Sequence, residues 1–138
     1  MKYMIIGGVA GGASTAARLR RLDEQAEIIL FEKGEYISYA NCGLPYYIGG
    51  VIEERERLFV QTPESFKARF NIEVRIKSEV KAIEPENKQV VIKDWATGKT
   101  YRESFDKLVL SPGAEPVLPP WEGIRTEGIF TLRNVADT

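Results

Sequence analysis

The sequence contains no histidine and only one cysteine, Cys42, among its 138 residues. Without histidine these residues offer neither an imidazole acid–base catalyst nor an imidazole metal ligand, and one cysteine cannot build a zinc site. A lone cysteine also excludes an internal disulfide and is typical of a reducing compartment. We therefore expect no metal site and a cytoplasmic protein.

Long apolar runs and an excess of one charge are also absent. No run approaches the roughly 20 apolar residues that cross a bilayer, and Met1-Lys2-Tyr3 leads directly into a predicted strand, so we expect no signal peptide. Nineteen basic and 20 acidic residues give a net charge of −1, which favours neither nucleic acid nor a membrane surface as a partner.

A glycine-rich turn lies between two apolar segments near the start of the chain. Residues 3–6 form a short apolar run typical of a buried parallel strand, and residues 7–12 contain four glycines. An alanine-rich helix is predicted over 13–22 and a second strand over 27–32. In such a unit the glycines let backbone amides reach a pyrophosphate at the positive end of the helix.

Glu32 closes the second predicted strand, 25 positions after Gly7, where a carboxylate can accept hydrogen bonds from a ribose diol. The pattern G-x-G-x-x-G has one departure, because its second glycine is replaced by Val9 and only Gly7 and Gly12 are in register. The alternative interpretation is a glycine-rich turn without a ligand. The flanking strands, the helix and the acid favour dinucleotide binding.

The rest of the chain predicts an α/β fold, a parallel sheet with an inserted three-stranded β-meander. Gly49-Gly50 ends a short helix, and Thr62 caps another helix with Pro63 at its first position. The predicted elements after the second strand are a helix starting at Asn41 or Cys42, the helix after Thr62, and strands over 72–76, 80–83, 89–94, 100–105, 106–110 and 129–132.

Six segments of the chain carry a recognisable pattern. The most specific is Ser38-Tyr39-Ala40-Asn41-Cys42-Gly43-Leu44-Pro45-Tyr46-Tyr47, and the others are Ile5–Ser14, Arg20–Asp23, Phe31–Lys33, Thr62–Phe66 and Leu110–Ala114. Together they resemble coenzyme A disulfide reductases, which are single-cysteine pyridine nucleotide-disulfide oxidoreductases. The match is strongest to the branch often fused to a rhodanese domain, which acts on persulfides.

The resemblance implies a Rossmann-like FAD-binding domain, with NADH or NADPH as electron donor. Residues 1–138 would be the N-terminal part of that domain, and the NADH-binding and C-terminal dimerisation domains of a full-length homodimer would be absent from this chain. Val80 would offer its backbone to the adenine. The implied cofactor-binding residues are Gly7, Val9, Ala10, Gly11, Glu32, Lys33, Val80, Ser111, Pro112 and Gly113.

The implied substrates are coenzyme A disulfide, a persulfide or another small disulfide. Ser14, Arg18 and Arg21 are spaced i, i+4 and i+7, so they share one helix face on which two guanidiniums could bind phosphates. The alternative for this face is a solvated basic edge. By resemblance, the substrate-binding residues are Ser14, Arg18, Arg21, Ser38 and Asn41.

Cys42 is the implied redox-active and catalytic residue. Its position at a helix start favours the thiolate, the form that attacks sulfur. In the implied cycle NADH reduces FAD, and the reduced flavin cleaves a mixed disulfide between Cys42 and coenzyme A. The alternative is a small buried cysteine without reactivity.

The chain lacks two residues that related flavoenzymes use in catalysis, a second cysteine and a histidine. Dithiol reductases of the glutathione reductase type carry a second cysteine five positions after the first, where this chain has Tyr47. Flavin-dependent NADH peroxidases and many NADH oxidases carry a histidine near Ala10, and this chain has none. An NADH oxidase and a non-catalytic FAD- or nucleotide-binding module nevertheless remain alternatives to a disulfide or persulfide reductase.

Overall fold

The computed structural model describes residues 1–138, which form two compact units. The first unit comprises Met1–Tyr39 and Gln61–Pro112, and the second comprises Ala40–Val60 and Gly113–Thr138. The α-helices are α1 (Ala10–Leu22), α2 (Leu44–Ile48) and α3 (Pro63–Phe70). The strands are β1 (Lys2–Ile6), β2 (Glu27–Phe31), β3 (Glu73–Arg75), β4 (Ser78–Glu84), β5 (Gln89–Asp94), β6 (Thr100–Ser104) and β7 (Lys107–Leu110).

A four-stranded parallel sheet forms the centre of the first unit, in the order β3-β2-β1-β7. The last strand reaches β1 from the far end of the sequence, pairing Tyr3 with Lys107 and Ile6 with Leu110. This pairing confirms the predicted return of the chain to the central sheet. None of the helices has the length and hydropathy that crossing a membrane requires.

The two faces of this sheet are covered by different partners. Ile5, Ile28 and Leu30 belong to the buried cluster that includes residues of α1 and α3. Met4 and Ile29 belong to a second buried cluster with Val90 and Ile92 of β5 and others. Because neighbouring strand residues face opposite sides, the continuous apolar runs that the sequence shows are what a sheet covered on both faces requires.

The covering layer opposite the helices is a three-stranded antiparallel sheet in the order β4-β5-β6. It is the predicted meander, and with the parallel sheet it confirms the predicted fold class. The strand predicted over 72–76 is shorter in the structure, spanning only Glu73–Arg75. Asn71 and Lys77 on either side adopt left-handed backbone conformations, with φ of 49° and 51°, which end the extended segment.

An ion-pair network joins the meander to the parallel sheet. The Arg75 guanidinium donates to Glu103 Oε2 at 2.7 Å and to Tyr101 Oη at 3.2 Å, and it lies 5.3 Å from the centroid of the Phe31 ring. Lys2 bonds the other oxygen of Glu103. Burial acts to raise the pKa of Glu103, but hydrogen bonds from Lys2 and Arg75 outweigh it and hold that pKa below the ordinary value.

Helix α1 begins at Ala10, three residues before the predicted start at residue 13. Glycine has a low helix propensity, so the sequence pattern placed Gly11 and Gly12 in the preceding turn. In the structure both glycines lie in the first helical turn, and at Gly12 only a residue without a Cβ fits. A Cβ added to Gly12 would lie 1.7 Å from the Gly7 carbonyl oxygen.

The second unit contains α2 and three-residue to four-residue 3-10 turns over Asn41–Gly43, Arg55–Leu58 and Val135–Asp137. The strand predicted over 129–132 is wrong, because no strand forms there. Ile129 is 51% exposed and Phe130 is 87% exposed. These apolar residues have no neighbouring strand to pair with, and a single extended segment without a partner is not a strand.

Replacing Glu103 by Gln should destabilise the fold in a pH-dependent way. A carboxylate with a lowered pKa contributes stability above its ordinary pKa, and that contribution is lost as the pH falls through the folded-state value. We expect a loss of about 1–3 kcal/mol in the free energy of unfolding at pH 7, shrinking below about pH 4. Urea unfolding between pH 3 and 7 measures it.

The control for this experiment is Glu84→Gln, which removes an exposed pair with Arg102 on the same meander. Its loss should be smaller, because solvent screens exposed pairs. A Glu103→Gln effect that is the same at pH 3 and pH 7 would contradict the assigned role of the ion pairs.

Candidate functional site

The glycine turn brings the carboxyl end of β1 against the start of α1 and the end of β7. Gly7 has φ of 95°, and a Cβ there would lie 2.0 Å from the Ser111 carbonyl oxygen. Val9 precedes the first helical residue, and no side chain caps the helix start, nor is there an acidic residue in the first turn. The first amides of a 13-residue helix therefore remain available to an anion.

Glu32 lies immediately after β2, and backbone amides hold its carboxylate on both sides. Gly8 N–H donates to Oε2 at 2.8 Å, and Gly34 N–H donates to Oε1 at 2.8 Å. The Glu32 backbone is also fixed, because its N–H donates to the Arg75 carbonyl at 2.9 Å. A carboxylate has about four acceptor positions, so two of them remain for the hydroxyls of a ribose.

Two further predicted cofactor residues belong to the sheets of the first unit, Ser111 directly after β7 and Val80 within β4. The Ser111 N–H donates to the Ile6 carbonyl at 2.8 Å, and the Ser111 hydroxyl lies 3.2 Å from where a Gly11 Cβ would be. Val80 pairs with Ile92 at an irregularity in register between Val80 and Ala82. Such a bulge leaves backbone groups unpaired.

Lys33 and Ala10 are exposed at the surface of the first unit. Pro112 ends the first unit and Gly113, with φ of 76°, begins the C-terminal segment of the second. The Arg133 guanidinium donates to the Ala114 carbonyl at 2.7 Å within that segment. The structure thus brings together the residues of the glycine turn, Glu32 and Ser111 within one unit.

The predicted substrate face of α1 is exposed. Ser14, Arg18 and Arg21 all have exposed side chains, and they lie opposite the buried side of the helix formed by Gly12, Ala13 and Ala16. Neither arginine has an ion-pair partner, in contrast to Arg75 and Arg102 elsewhere in the unit. The face can therefore accept an anionic ligand without first breaking an ion pair.

Ser38 has a left-handed backbone conformation with φ of 47°. Its N–H donates to the Gly8 carbonyl at 2.9 Å, which fixes the turn against the glycine loop. For a residue with a Cβ, adopting the left-handed backbone conformation costs on the order of 1–2 kcal/mol. Such strain at a predicted substrate residue is typical of functional sites.

In the second unit, Cys42 is the middle residue of the Asn41–Gly43 turn that leads into α2. Its thiol is free and exposed, unlike the buried cysteine of the alternative interpretation. The turn is anchored by its neighbours, because the Ala40 N–H donates to the Leu58 carbonyl at 2.8 Å. A Cβ added to Gly43 would lie 2.9 Å from the buried Leu58 side chain.

The side-chain oxygen of Asn41, the residue next to Cys42, accepts no hydrogen bond. This atom, Oδ1, is buried and has no hydrogen-bond partner. Leaving a buried acceptor unpaired costs about 1–3 kcal/mol, so the position suits an N–H donor from a ligand. The predicted short helix near this residue is confirmed, with a 3-10 turn preceding the α-helix.

Sequence reasoning left Gly8, Gly12 and Gly34 out of the predicted site. Gly8 and Gly34 supply the amides that orient Glu32, and Gly12 provides the close approach between helix and turn. Gly8 and Gly12 were visible as glycines of the turn. Nothing in the pattern indicated Gly34, because its role depends on how the chain folds back after β2.

Comparisons with known proteins place these features in context. Residues 1–138 match the pyridine nucleotide-disulphide oxidoreductase family. The chain is 45% identical over 137 residues to the coenzyme A disulfide reductase of Staphylococcus aureus (strain JH9), covering 99% of this chain and 31% of that protein. The crystal structure of reduced Bacillus anthracis CoADR-RHD is 58% identical with a TM-score of 0.94, covering 99% of this chain and 25% of that one.

A second solved structure, the NAD-dependent persulfide reductase from A. fulgidus, is 38% identical with a TM-score of 0.92. That alignment also covers 99% of this chain and 25% of the other. The chain therefore spans about a third or less of the length of these proteins. The family and fold predicted from the sequence are confirmed.

Gly12→Ala should destabilise the fold, whereas Gly11→Ala in the same helical turn should not. The new Cβ at Gly12 meets a backbone carbonyl, and at Gly11 it meets the rotatable Ser111 hydroxyl at 3.2 Å. We expect Gly12→Ala to lose about 1–3 kcal/mol or more and Gly11→Ala to change stability by less than about 1 kcal/mol. Urea unfolding compares them, and equal losses would contradict the close approach.

Proposed function

Because the chain belongs to the pyridine nucleotide-disulphide oxidoreductase family, we propose that it forms the flavin- and thiol-bearing part of an NAD(P)H-driven reductase of coenzyme A disulfide or a related persulfide. The observation that carries the proposal is an exposed, unpaired Cys42 in a chain that also contains an uncapped glycine cradle with an oriented acid. We further propose that residues 1–138 are the N-terminal part of a FAD-binding domain, in a cytoplasmic enzyme that is a homodimer when full length.

The cradle fits the ADP half of FAD. Amides of Val9, Ala10 and Gly11 at the start of α1 would bind the pyrophosphate, because they have no side-chain cap and lie at the positive end of the helix dipole. Glu32 would accept hydrogen bonds from the ribose hydroxyls. The remaining contacts would come from Gly7, Lys33, Val80, Ser111, Pro112 and Gly113.

FAD, when bound, supplies the two-electron chemistry that links NADH or NADPH to sulfur. The first sulfur step belongs to Cys42 alone. Its thiolate attacks one sulfur of a disulfide R–S–S–R, the S–S bond breaks, and a bond forms between Cys42 and one R–S group while the other leaves as a thiolate. With a persulfide R–S–SH the products are the same mixed disulfide and hydrosulfide.

Two electrons from NAD(P)H and one proton then regenerate the Cys42 thiolate and release R–SH. Tyr47 occupies the place of a second cysteine, so the leaving thiol must come from the substrate and not from the protein. The chain has no histidine to provide the acid–base partner that peroxide or oxygen chemistry uses, which disfavours the oxidase alternative.

Each unit carries groups suited to a part of the proposed substrate. Arg18 and Arg21 would bind phosphates of coenzyme A with charge-assisted hydrogen bonds, and Ser14 and Ser38 would add hydroxyl contacts. The buried Oδ1 of Asn41 would accept an amide N–H from the pantetheine arm, which relieves its missing hydrogen bond.

Glu32→Ala should weaken flavin binding by the complete enzyme. Losing the charge-assisted hydrogen bonds to ribose should cost about 1.5–3 kcal/mol in binding free energy. Titrating FAD into apoenzyme while following flavin fluorescence measures it, with Glu53→Ala at an exposed position as the control. Unchanged affinity in Glu32→Ala would place the ribose elsewhere.

Cys42→Ser should abolish NAD(P)H-dependent disulfide and persulfide reduction while leaving bound flavin reducible by NAD(P)H. A serine hydroxyl stays protonated at neutral pH and does not attack sulfur. Stopped-flow flavin absorbance separates the two half-reactions, and mass spectrometry of oxidised wild-type enzyme should find a small thiol on Cys42. Wild-type turnover by the serine variant would refute the reductase, and a sulfenic acid without an adduct would favour the oxidase.

A further inference from the structure

The turn formed by residues 75–78 fixes the backbone of Glu32 on both sides. The Glu32 N–H donates to the Arg75 carbonyl at 2.9 Å, and the Ser78 N–H donates to the Glu32 carbonyl at 2.9 Å. Ser78 is buried, and its hydroxyl donates to the Ile76 carbonyl at 3.0 Å, which holds the turn in shape. The place of the Glu32 backbone therefore depends on where this turn lies.

The same turn holds Gly34, one of the two glycines whose amides orient the Glu32 carboxylate. The Lys77 N–H donates to the Gly34 carbonyl at 2.9 Å, while the Gly34 N–H donates to Glu32 Oε1 at 2.8 Å. The Lys77 carbonyl accepts a hydrogen bond from the Trp95 N–H at 2.8 Å, so the meander holds the middle of the turn. Both the backbone of Glu32 and one contact of its carboxylate are thus set by the 75–78 turn.

Arg75 anchors the start of this turn through its side chain, which is only 26% exposed. Its Nε donates to Glu73 Oε1 at 2.6 Å, and its Nη1 donates to Glu103 Oε2 at 2.7 Å and to Tyr101 Oη at 3.2 Å. The guanidinium also lies 5.3 Å from the centroid of the Phe31 ring. A planar guanidinium held by two carboxylates, a phenol and a ring has little freedom, and it restricts the backbone of its own residue.

We infer that Arg75 is a positioning residue of the flavin site, whose anchored side chain holds the turn that fixes Glu32 and so raises the affinity for the ribose of FAD. This inference rests on the proposed function, in which Glu32 accepts hydrogen bonds from the ribose hydroxyls. Such bonds need an acceptor held to within about 0.5 Å, which its supporting residues provide. The competing role for Arg75 is general stability of the two sheets, which would not act through Glu32.

The test is a double-variant cycle on the complete enzyme without flavin, with the dissociation constant of FAD measured by flavin fluorescence. Arg75→Gln should raise that constant about tenfold. In the Glu32→Ala background the same change should raise it less than about twofold, because the acid that Arg75 positions is gone. Arg75→Lys keeps the charge but loses the planar fork, so it should recover part of the affinity.

The matched control is Arg102→Gln, which breaks an exposed ion pair with Glu84 on the same meander. It should change the dissociation constant of FAD by less than about twofold, because exposed pairs contribute little and Arg102 makes no contact with the 75–78 turn. A loss of affinity in Arg102→Gln equal to that in Arg75→Gln would overturn the inference, since any weakening of the meander would then suffice.

A FAD analogue whose adenosine lacks the 2′-hydroxyl gives a readout that general stability does not move. The wild type should bind this analogue about tenfold more weakly than FAD, because one ribose hydrogen bond to Glu32 is missing. Arg75→Gln should discriminate between the two flavins by less than about threefold. If Arg75→Gln weakens both flavins by the same factor, the wild-type discrimination is kept and the positioning role is refuted.

The pattern of outcomes separates this inference from the proposed function. If Glu32→Ala weakens FAD binding and Arg75→Gln does not, the proposed cradle stands and the role of Arg75 is refuted. If Glu32→Ala leaves the affinity unchanged, the proposed ribose site is itself wrong and the inference fails with it. Arg75→Gln leaves the partly buried Glu103 with one partner fewer. Should that variant not fold, Arg75→Gln combined with Glu103→Gln removes both charges and carries the same comparison.

Discussion

The contact on which the first unit depends is the approach of the α1 backbone to the Gly7 carbonyl. At 1.7 Å from that oxygen, a Cβ at Gly12 has no place, so the helix can lie over the end of β1 only with glycine there. The same turn approaches the Ser111 carbonyl at the end of β7. Because these approaches fix where α1 starts, they also fix where its free amides point and where the proposed pyrophosphate would lie.

The acid that faces this turn is held by a chain of hydrogen bonds that reaches the meander. Gly8 and Gly34 orient the Glu32 carboxylate, and the Glu32 backbone donates to Arg75. The side chain of Arg75 is anchored by Glu103 and lies against the Phe31 ring. The meander therefore does more than cover one face of the sheet. It also supports the backbone around Glu32, the residue that we propose binds the ribose.

Local patterns were sufficient to predict most of this arrangement. Continuous apolar runs indicated buried parallel strands, alternation and turns indicated the meander, and Thr62-Pro63 marked the start of α3, where the Thr62 side chain accepts from Ser65 N–H. Where prediction failed, the cause was non-local. The early start of α1 depends on Gly7 packing, and the Gly34 amide reaches Glu32 only after the chain turns.

The wrong strand over 129–132 has a related cause. Its residues have high strand propensity, but propensity for extended structure reflects packing against neighbouring strands and not a property of the segment alone. Phe130 and Ile129 are exposed, and the nearest regular element along the chain is the 3-10 turn that Asn134 caps through Ala136 N–H. Apolar composition alone therefore does not make this segment a strand, because no partner strand is available to it.

Around Cys42 the neighbouring residues are buried and fixed, whereas the thiol itself is exposed. Gly43 and Leu44 beside the thiol are buried, and Leu58 fixes the turn by accepting from Ala40 N–H. Cys42 itself remains exposed. A thiol in the proposed role of nucleophile toward an external disulfide needs access, and its position must be fixed to within a fraction of an ångström. Anchoring the residues on both sides of Cys42 while leaving its sulfur uncovered meets both requirements, and α2, at five residues, adds little constraint of its own.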